Sequence, residues 1–430
     1  MRASPRLGGS WSSIFGVFVL AYILSYFILP LLIYRDDSWL AMPRYFQRQL
    51  VPQVVVWSAV ALLMFLGGYK LSAGRSRRVN TLSLITIREE RIWPVWIGTV
   101  AAAFAMWSYF VVTVGITNLI QHREDVFVGR GIALYSYLGL SAYSAVISML
   151  LYKVRGSKVI LLIESVVLVV LSFGGRGQLA CFLLALFFLS GQDLIRKVRR
   201  SPLGGIFRSS AIVLMVILGF GMVFLRSQQT ASVDNAKKAL TNSFGDGEMF
   251  GLVYSHYSDR LLYGRTIWEI GYIFMPRQFF PDKPAIYGNA VFEHDLGFDE
   301  IYGPNNNVSS TFGICAELFA NFGHVGLVLG MLGWGWVYAW LEKLRNTPIQ
   351  SVGVFIYLMV YMDQFWIFRH GLLGLVQVFT VPVLMLPIFL KFLYRRRRQR
   401  VGPFIRTVPL VETRQSFPIH PVGPPLSVPR

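Results

Sequence analysis

Long apolar runs separated by short polar segments dominate the pattern of this chain. A helix that crosses a bilayer needs about 20 mostly apolar residues. Runs of this kind predict about ten membrane spans, at 12–34, 52–69, 95–116, 132–152, 159–174, 178–191, 209–226, 313–341, 350–367 and 371–393. The fifth and sixth runs are short and flank the glycine-rich segment 174–178, which favours a hairpin. The pattern therefore predicts an all-α polytopic membrane protein.

The predicted spans divide the chain into regions of different character. We expect a cytoplasmic N-terminus at 1–11, seven spans with short loops in 12–226, one long outer loop at 227–312, three spans in 313–393 and a cytoplasmic tail at 394–430. The long loop is rich in aromatic residues, which predicts that it folds, whereas the basic, proline-rich tail has the composition of a disordered segment. The first run lacks a small-residue cleavage site, so we expect an uncleaved anchor.

Composition supports the membrane interpretation. Of 430 residues, 54% are hydrophobic and 15% are charged, and the mean hydropathy is +0.51. Soluble domains carry about 25% charged residues, so the composition excludes a disordered chain, a disulfide scaffold and a typical soluble enzyme. The net charge of +19 would suggest nucleic-acid binding in a soluble domain. Here the basic residues stand beside apolar runs, so we expect contacts with membrane lipids and no nucleic-acid partner.

The basic residues also predict the orientation of the spans. Lys and Arg concentrate in the short cytoplasmic loops of membrane proteins. If the N-terminus is cytoplasmic, the basic loops 70–94, 153–158, 192–208 and 342–349 and the arginine run 395–398 all fall on that side. We therefore expect both termini to be cytoplasmic.

A few basic residues fall on the outer side, where the same rule disfavours them. The candidates among them are Arg176, Arg265, Arg277, Lys283 and Arg369. Arg176 and Arg369 stand in glycine-flanked turns between apolar runs, and the arginine guanidinium is a fork of donors suited to phosphate oxygens. We interpret the set as an anion-binding site. Ion pairs with local acids, or contacts with lipid head groups, are the alternative for each member.

Two residues at the outer membrane boundary are candidates for acid–base chemistry. Glu317 lies at the outer end of the eighth span, and an ionisable residue at such a depth has a partner or a function. The alternative for Glu317 is an ion pair with Arg277 or Arg369. His370 stands beside Arg369 and can change its protonation near neutral pH.

Other acidic residues give less specific signals. Glu164 lies deeper, within the fifth span, where we expect it to pair with a basic residue, and Asp246 and Glu248 are further candidates in the long loop. The acids and histidine of 293–295 are adjacent in one loop and would rarely converge on one ion, so we expect no metal. The chain has no GxxxxGK[ST], HExxH or GxSxG motif, and we expect no cofactor.

Two stretches in the second half of the chain resemble a known family. Met275 to Pro284 reads MPRQFFPDKP, and Ser310 to Gly326 reads STFGICAELFANFGHVG. Both are similar to stretches of the oligosaccharide repeat-unit polymerases, the Wzy or O-antigen polymerase family. The segments 175–177 and 369–371 resemble the two arginine-containing outer turns of that family. The resemblance covers about residues 170–375.

The resemblance implies an integral-membrane glycosyltransferase of the C type. Such an enzyme polymerises undecaprenyl-pyrophosphate-linked oligosaccharide repeat units into O-antigen, capsule or exopolysaccharide, without a nucleotide sugar. It acts at the outer face of the bacterial plasma (inner) membrane, and a chain-length regulator and a flippase are its expected partners. Three alternatives stay open: a ligase that moves the glycan to another acceptor, a transporter of lipid-linked glycan and a non-catalytic scaffold.

The implied function gives each candidate residue an expected role. Glu317 is the expected catalytic base, with His370 as the second candidate. The five outer basic residues are expected to hold the pyrophosphate, with Asn321 as a further substrate contact. Five aromatic residues of the long loop would stack on sugar rings or else form the core of the loop. They are Tyr254, Tyr257, Tyr263, Trp268 and Tyr272.

Overall fold

Helices account for most of the fold, as the apolar pattern predicts. The computed structural model describes residues 13–36, 48–73, 85–115, 131–156, 158–171, 182, 237, 245–269, 271–272, 280, 289–297, 312–345, 347, 351–364, 367–372, 391 and 393–396. The helices are α1 (Ile14–Ile23), α2 (Leu29–Arg35), α3 (Val51–Ala73), α4 (Glu89–Val114), α5 (Gly131–Arg155), α6 (Lys158–Leu171), α7 (Asp246–Tyr257), α8 (Arg265–Glu269), α9 (Asn289–Asp295), α10 (Gly313–Arg345) and α11 (Val352–Met362). All described residues fall within one compact unit, Met1–Arg396.

Four helical stretches of the described part are long and apolar enough to cross a membrane. They are Ile14–Arg35, Arg48–Ser72, Glu89–Val114 and Gly313–Arg345, and they match the spans predicted at 12–34, 52–69, 95–116 and 313–341. Helices also occupy the spans predicted at 132–152, 159–174 and 350–367, although α6 and α11 have only 14 and 11 residues. The spans predicted at 178–191 and 209–226, and most of 371–393, lie outside the described residues. The chain is thus a helical membrane protein.

One short β-ladder departs from the all-α prediction. Strand β1 (Ile85–Ile87) pairs antiparallel with β2 (Tyr394–Arg396), with Thr86 opposite Arg395. Isoleucine and threonine favour extended backbone, which explains why β1 is not helical. The ladder joins the segment before α4 to the segment after the last predicted span. Two segments that are predicted to be cytoplasmic therefore lie together.

Pro30 shapes the first membrane-crossing stretch. Proline has no N–H and its ring collides with the carbonyl group four residues earlier, which here belongs to Tyr26. The helix widens at this point into a π-helical turn, Leu24–Ile28, which joins α1 to α2. The widened turn brings the carbonyl of Ser25 against Gly247 of α7, where a Cβ atom would lie 2.5 Å from the carbonyl oxygen.

Helices α1 and α3 are antiparallel, because Phe15 packs on Tyr69 whereas Tyr22, further along α1, contacts the earlier Ser58, and their contacts define two ends of the bundle. At the end that we call the distal end, the N–H of Ile14 donates to the Tyr357 hydroxyl at 3.1 Å. The Lys343 ammonium donates to the carbonyl of Ser72 at 2.6 Å at the same end. The opposite end, which we call the site end, is marked by Tyr26, Asp246, Gly313 and Gly371.

Helices α3 and α10 approach each other closely through glycine. A Cβ atom at Gly68 would overlap the carbonyl of Leu332, and one at Gly335 would overlap the carbonyl of Phe65. Small residues at such contacts allow van der Waals packing between membrane helices, where hydrophobic burial gives little driving force. The two helices therefore form the packed centre of the described bundle.

Gly335→Val is expected to lower the thermal unfolding midpoint by several degrees, because overpacking a close helix contact costs about 1–3 kcal/mol. The matched control is Gly333→Val on the same helix, since no atom lies within 4 Å of the Cβ position at Gly333. Both variants carry the same change in helix propensity, so the difference between them measures the packing. Equal midpoints for the two variants in one detergent would contradict the close contact.

The buried carboxylate of Glu164 ties three helices together through neutral donors. Its two oxygens accept hydrogen bonds from Trp96 Nε1 at 2.8 Å and from Ser144 Oγ at 2.7 Å. The donors lie on α4 and α5, whereas Glu164 lies on α6. Among the described residues the donors to this carboxylate are neutral, and they satisfy both oxygens, as buried polar groups require.

Candidate functional site

Glu317 lies at the site end, on the second turn of α10, and its side chain is 1% exposed. One carboxylate oxygen, Oε2, accepts a hydrogen bond from the backbone N–H of Leu372 at 2.7 Å. The other oxygen, Oε1, has no hydrogen-bond partner among the described residues. A buried acceptor that is left without a donor is costly, and such groups occur where function requires them.

Gly371 is the residue that lets Glu317 reach this position. A Cβ atom at Gly371 would collide with Oε2 of Glu317 and would lie 3.3 Å from the Cα of Ile314. The backbone φ of Gly371 is +58°, in the left-handed region that favours glycine. Both the space and the backbone conformation therefore require glycine here.

The segment that carries Gly371 also carries the predicted Arg369 and His370. His370 is buried and Arg369 is half-buried. The segment is fixed by Phe368, whose ring packs edge-on against Phe18 and Tyr26 at centroid distances of 5.5 and 6.2 Å. The structure thus brings together Glu317 and the Arg369–Gly371 turn, which the sequence predicts separately.

Helix α7 adds two acidic residues to the site end. Asp246 and Glu248 are each 1% exposed. A Cβ atom at Gly313 would touch the Tyr26 hydroxyl and would lie 3.3 Å from the Cβ of Asp246. Asp246 therefore lies against the first residue of α10, one turn before Glu317. The glycines beside these acids, in the sequence GDGE, are the sequence signal that could have indicated their place at the site end.

The buried hydroxyl group of Tyr22, on α1, lies next to the site end. The Tyr22 hydroxyl donates to the carbonyl of Ser58 at 3.0 Å and lies 3.3 Å from Sγ of Cys315. The ring of Tyr22 stacks on Tyr26 with a centroid distance of 4.5 Å. These contacts fix α1 and the π-helical turn against α3 and α10, next to the residues of the site end.

Asn321 joins α10 to α8, which follows the exposed turn at Tyr263. Its amide nitrogen donates to Thr266 Oγ1 at 2.6 Å and to the carbonyl of Glu317 at 2.8 Å. Its amide oxygen accepts from the Thr266 N–H at 3.4 Å. The side chain that the sequence assigns to substrate contact therefore holds the long loop against the helix that carries Glu317.

Arg265 forms an ion pair with a local acid, which was the alternative to anion binding in the sequence analysis. Its Nε lies 2.9 Å from Oε1 of Glu269, and this hydrogen bond raises the pKa of the guanidinium. Nearby, the Tyr257 hydroxyl donates to Asp295 at 2.8 Å. Burial, followed by this hydrogen bond, raises the pKa of Tyr257, so the phenol stays protonated.

The five loop aromatics that the sequence groups together differ in their surroundings. Tyr257 is buried, and Tyr254 stacks on Phe319 of α10 at 4.8 Å between centroids. Tyr272 is half-buried, whereas Tyr263 and Trp268 are 78% and 82% exposed. The first two pack as the core of the loop would, and the last two are accessible to a partner.

Comparison with known protein families, with curated proteins and with solved structures finds no match. Arg176, Arg277 and Lys283 lie outside the described residues. Within the described ranges, no three His, Cys, Asp or Glu side chains are grouped so that they could hold a metal ion. The described groups of the site end that can take part in chemistry are its carboxylates, Arg369 and His370.

This arrangement suits a proton transfer next to an anion. A buried carboxylate whose second oxygen has no hydrogen-bond partner among the described residues can accept a proton from a hydroxyl group that reaches it. Arg369 lies three residues before Leu372, the residue that binds Glu317, and a guanidinium stabilises negative charge on phosphate oxygens. The site end therefore places a candidate base on α10 beside a short segment that carries a candidate anion-binding group.

Proposed function

We propose that this chain is a membrane glycosyltransferase that polymerises undecaprenyl-pyrophosphate-linked oligosaccharide repeat units. The observation that carries the proposal is the hydrogen bond between Glu317 and the backbone of Leu372. It joins the two motifs, around Glu317 and at 369–371, that resemble the Wzy family. Two motifs that lie far apart in sequence and meet at one buried carboxylate are typical of an active site.

The proposed step forms one glycosidic bond and breaks one bond to phosphate. The acceptor hydroxyl oxygen attacks the anomeric carbon of the donor sugar, and its proton passes to Glu317. The bond from that carbon to the pyrophosphate oxygen breaks, and the electron pair leaves on the phosphate. Arg369 would stabilise this charge, together with Arg176 and Arg277, by electrostatic preorganisation.

The proposal places the site end on the outer face of a bacterial plasma membrane, with both termini in the cytoplasm. It is supported by the basic residues of the distal end, where Lys343 binds the carbonyl of Ser72 and Arg345 pairs with Glu342 beside Phe15. Basic residues mark the cytoplasmic ends of membrane helices. The lipid-linked donor and acceptor would then enter from the outer leaflet.

Reconstitution of the purified chain in vesicles with a lipid-linked repeat unit tests the proposed function. A ladder of products that grow by one repeat unit is the expected result, and vesicles without the protein are the control. Transfer of one unit to a foreign acceptor would favour a ligase, and movement across the bilayer without a new bond would favour a transporter. Either result would overturn the polymerase proposal.

A further inference from the structure

Three aromatic side chains form an exposed patch beside the site end. Tyr263 and Trp268 are 78% and 82% exposed, and Phe322 of α10 is 44% exposed. They surround Gly264, where a Cβ atom would lie 3.2 Å from the Phe322 ring and 3.5 Å from the Trp268 ring. We call these three residues the aromatic patch. Large exposed aromatic groups that cluster in this way mark an interaction surface.

The aromatic patch continues into an exposed apolar face of α10. The side chains of that face follow one another at intervals of four, seven and four residues, which places them on one side of a helix. They are Val325, Leu329, Trp336 and Trp340, and we call them the lipid stripe. Phe322 connects the two surfaces, because its ring lies against Gly326 in the first turn of the stripe.

The length of the lipid stripe matches the thickness of a bilayer core. Helix α10 bends at Gly323, where the backbone leaves helical geometry. From Gly323 to Trp340 the chain advances 17 residues, or about 26 Å at the rise of an α-helix, against about 30 Å for the hydrocarbon core. The aromatic patch stands at one end of this length, and Trp336 and Trp340 stand towards the other.

We infer that the aromatic patch is inserted in the interfacial layer of the membrane, so that its partner is the lipid headgroup region and not a sugar. Tyr and Trp collect at both interfaces of membrane proteins because their rings are apolar and their N–H or O–H groups are polar. The ion pair of Arg265 with Glu269 suits the same depth, because it neutralises the charges beside Trp268. This inference does not depend on the proposed function.

The inference gives the α8 segment a defined depth. Asn321 and Thr266 tie α8 to α10, so insertion of Tyr263 and Trp268 fixes the height of α10 in the membrane. Glu317 lies five residues before Phe322 on α10, whereas the lipid stripe follows Phe322. The buried carboxylate would therefore lie just above the headgroup level, within the protein.

Spin labels measure this depth directly. Trp268→Cys and Tyr263→Cys are prepared separately in the full chain with Cys181→Ser, since Cys315 is buried and stays unlabelled. Each labelled protein is reconstituted in phosphatidylethanolamine–phosphatidylglycerol vesicles, and its collisions with oxygen and with a nickel chelate are compared. Leu329→Cys gives the lipid reference and the exposed Asp259→Cys gives the water reference.

We expect the oxygen-to-nickel collision ratio at position 268 to be several-fold above that at 259 and below that at 329. Native thermal unfolding of each variant shows that the label has not disrupted the fold. A ratio at 268 equal to that at 259 would overturn the inference. A label that is shielded only after addition of a lipid-linked glycan would assign the aromatic patch to sugar binding, and would overturn it as well.

Discussion

Glu317→Gln is expected to lower the rate of glycan polymerisation by about 10²–10⁴-fold, the usual contribution of a general base, while the fold persists. Glutamine has the same shape, and its amide oxygen can still accept the Leu372 N–H that Oε2 now accepts at 2.7 Å. The amide cannot take a proton from an acceptor hydroxyl. The initial rate of ladder formation in vesicles measures the loss, and the thermal unfolding midpoint measures the fold.

Glu342→Gln is the matched control for this prediction. Glu342 is a buried acid on the same helix, but it lies at the distal end, where it accepts from the Phe15 N–H at 3.3 Å and pairs with Arg345 at 3.4 Å. We expect it to polymerise at close to the wild-type rate. A Glu317→Gln protein that polymerises as fast as Glu342→Gln would remove Glu317 from the role of base. A greater loss in His370→Gln would transfer that role to His370.

Arg369→Ala is expected to lower the polymerisation rate by about 10²–10³-fold, because it removes a donor from the charge that develops on the leaving phosphate. The residue lies in the segment that Gly371 and Leu372 hold against Glu317. Arg369→Lys keeps the charge but loses the planar fork of donors, so we expect a rate between those of the wild type and of Arg369→Ala. Single-turnover rates at saturating lipid-linked donor separate this effect from substrate binding.

Arg155→Ala provides the comparison for the loss of one arginine. Arg155 is exposed at the end of α5 and belongs to a loop that is predicted to be cytoplasmic. Its removal is expected to leave the polymerisation rate unchanged. If Arg369→Ala and Arg155→Ala behave alike, the outward arginine serves the membrane surface or the fold, and the pyrophosphate is held by other groups.

The apolar pattern predicts the helices well, because a membrane helix is a local structure whose length and composition are set by the bilayer. Spans at 12–34 and 313–341 coincide with helical stretches of the structure. The pattern does not predict the π-helical turn before Pro30 or the bend at Gly323, since each depends on one residue and its neighbours in space. Charge patterns likewise give no sign of the pairing between β1 and β2.

The site is predictable in its residue types but not in its contacts. The sequence indicates Glu317 and the Arg369–Gly371 turn as candidates, yet their contact joins positions 317 and 372 through a backbone N–H, which carries no side-chain signature. Glu164 shows the opposite case. Its depth suggests a basic partner, whereas Trp96 and Ser144 satisfy it, because any donor that the packing supplies will serve. Asn321 is similar, since its amide is engaged by Thr266.

Under the proposed function, the glycine contacts between α3 and α10 have a consequence for how a lipid-linked glycan would enter. Gly68 and Gly335 place the backbones of the two helices in direct contact. Partial separation of the helices would leave voids, which close-packed interiors disfavour. Under the proposed function, entry of the substrate would therefore leave the spacing of these two helices unchanged. The α3–α10 pair would then be the fixed part of the described bundle during that entry.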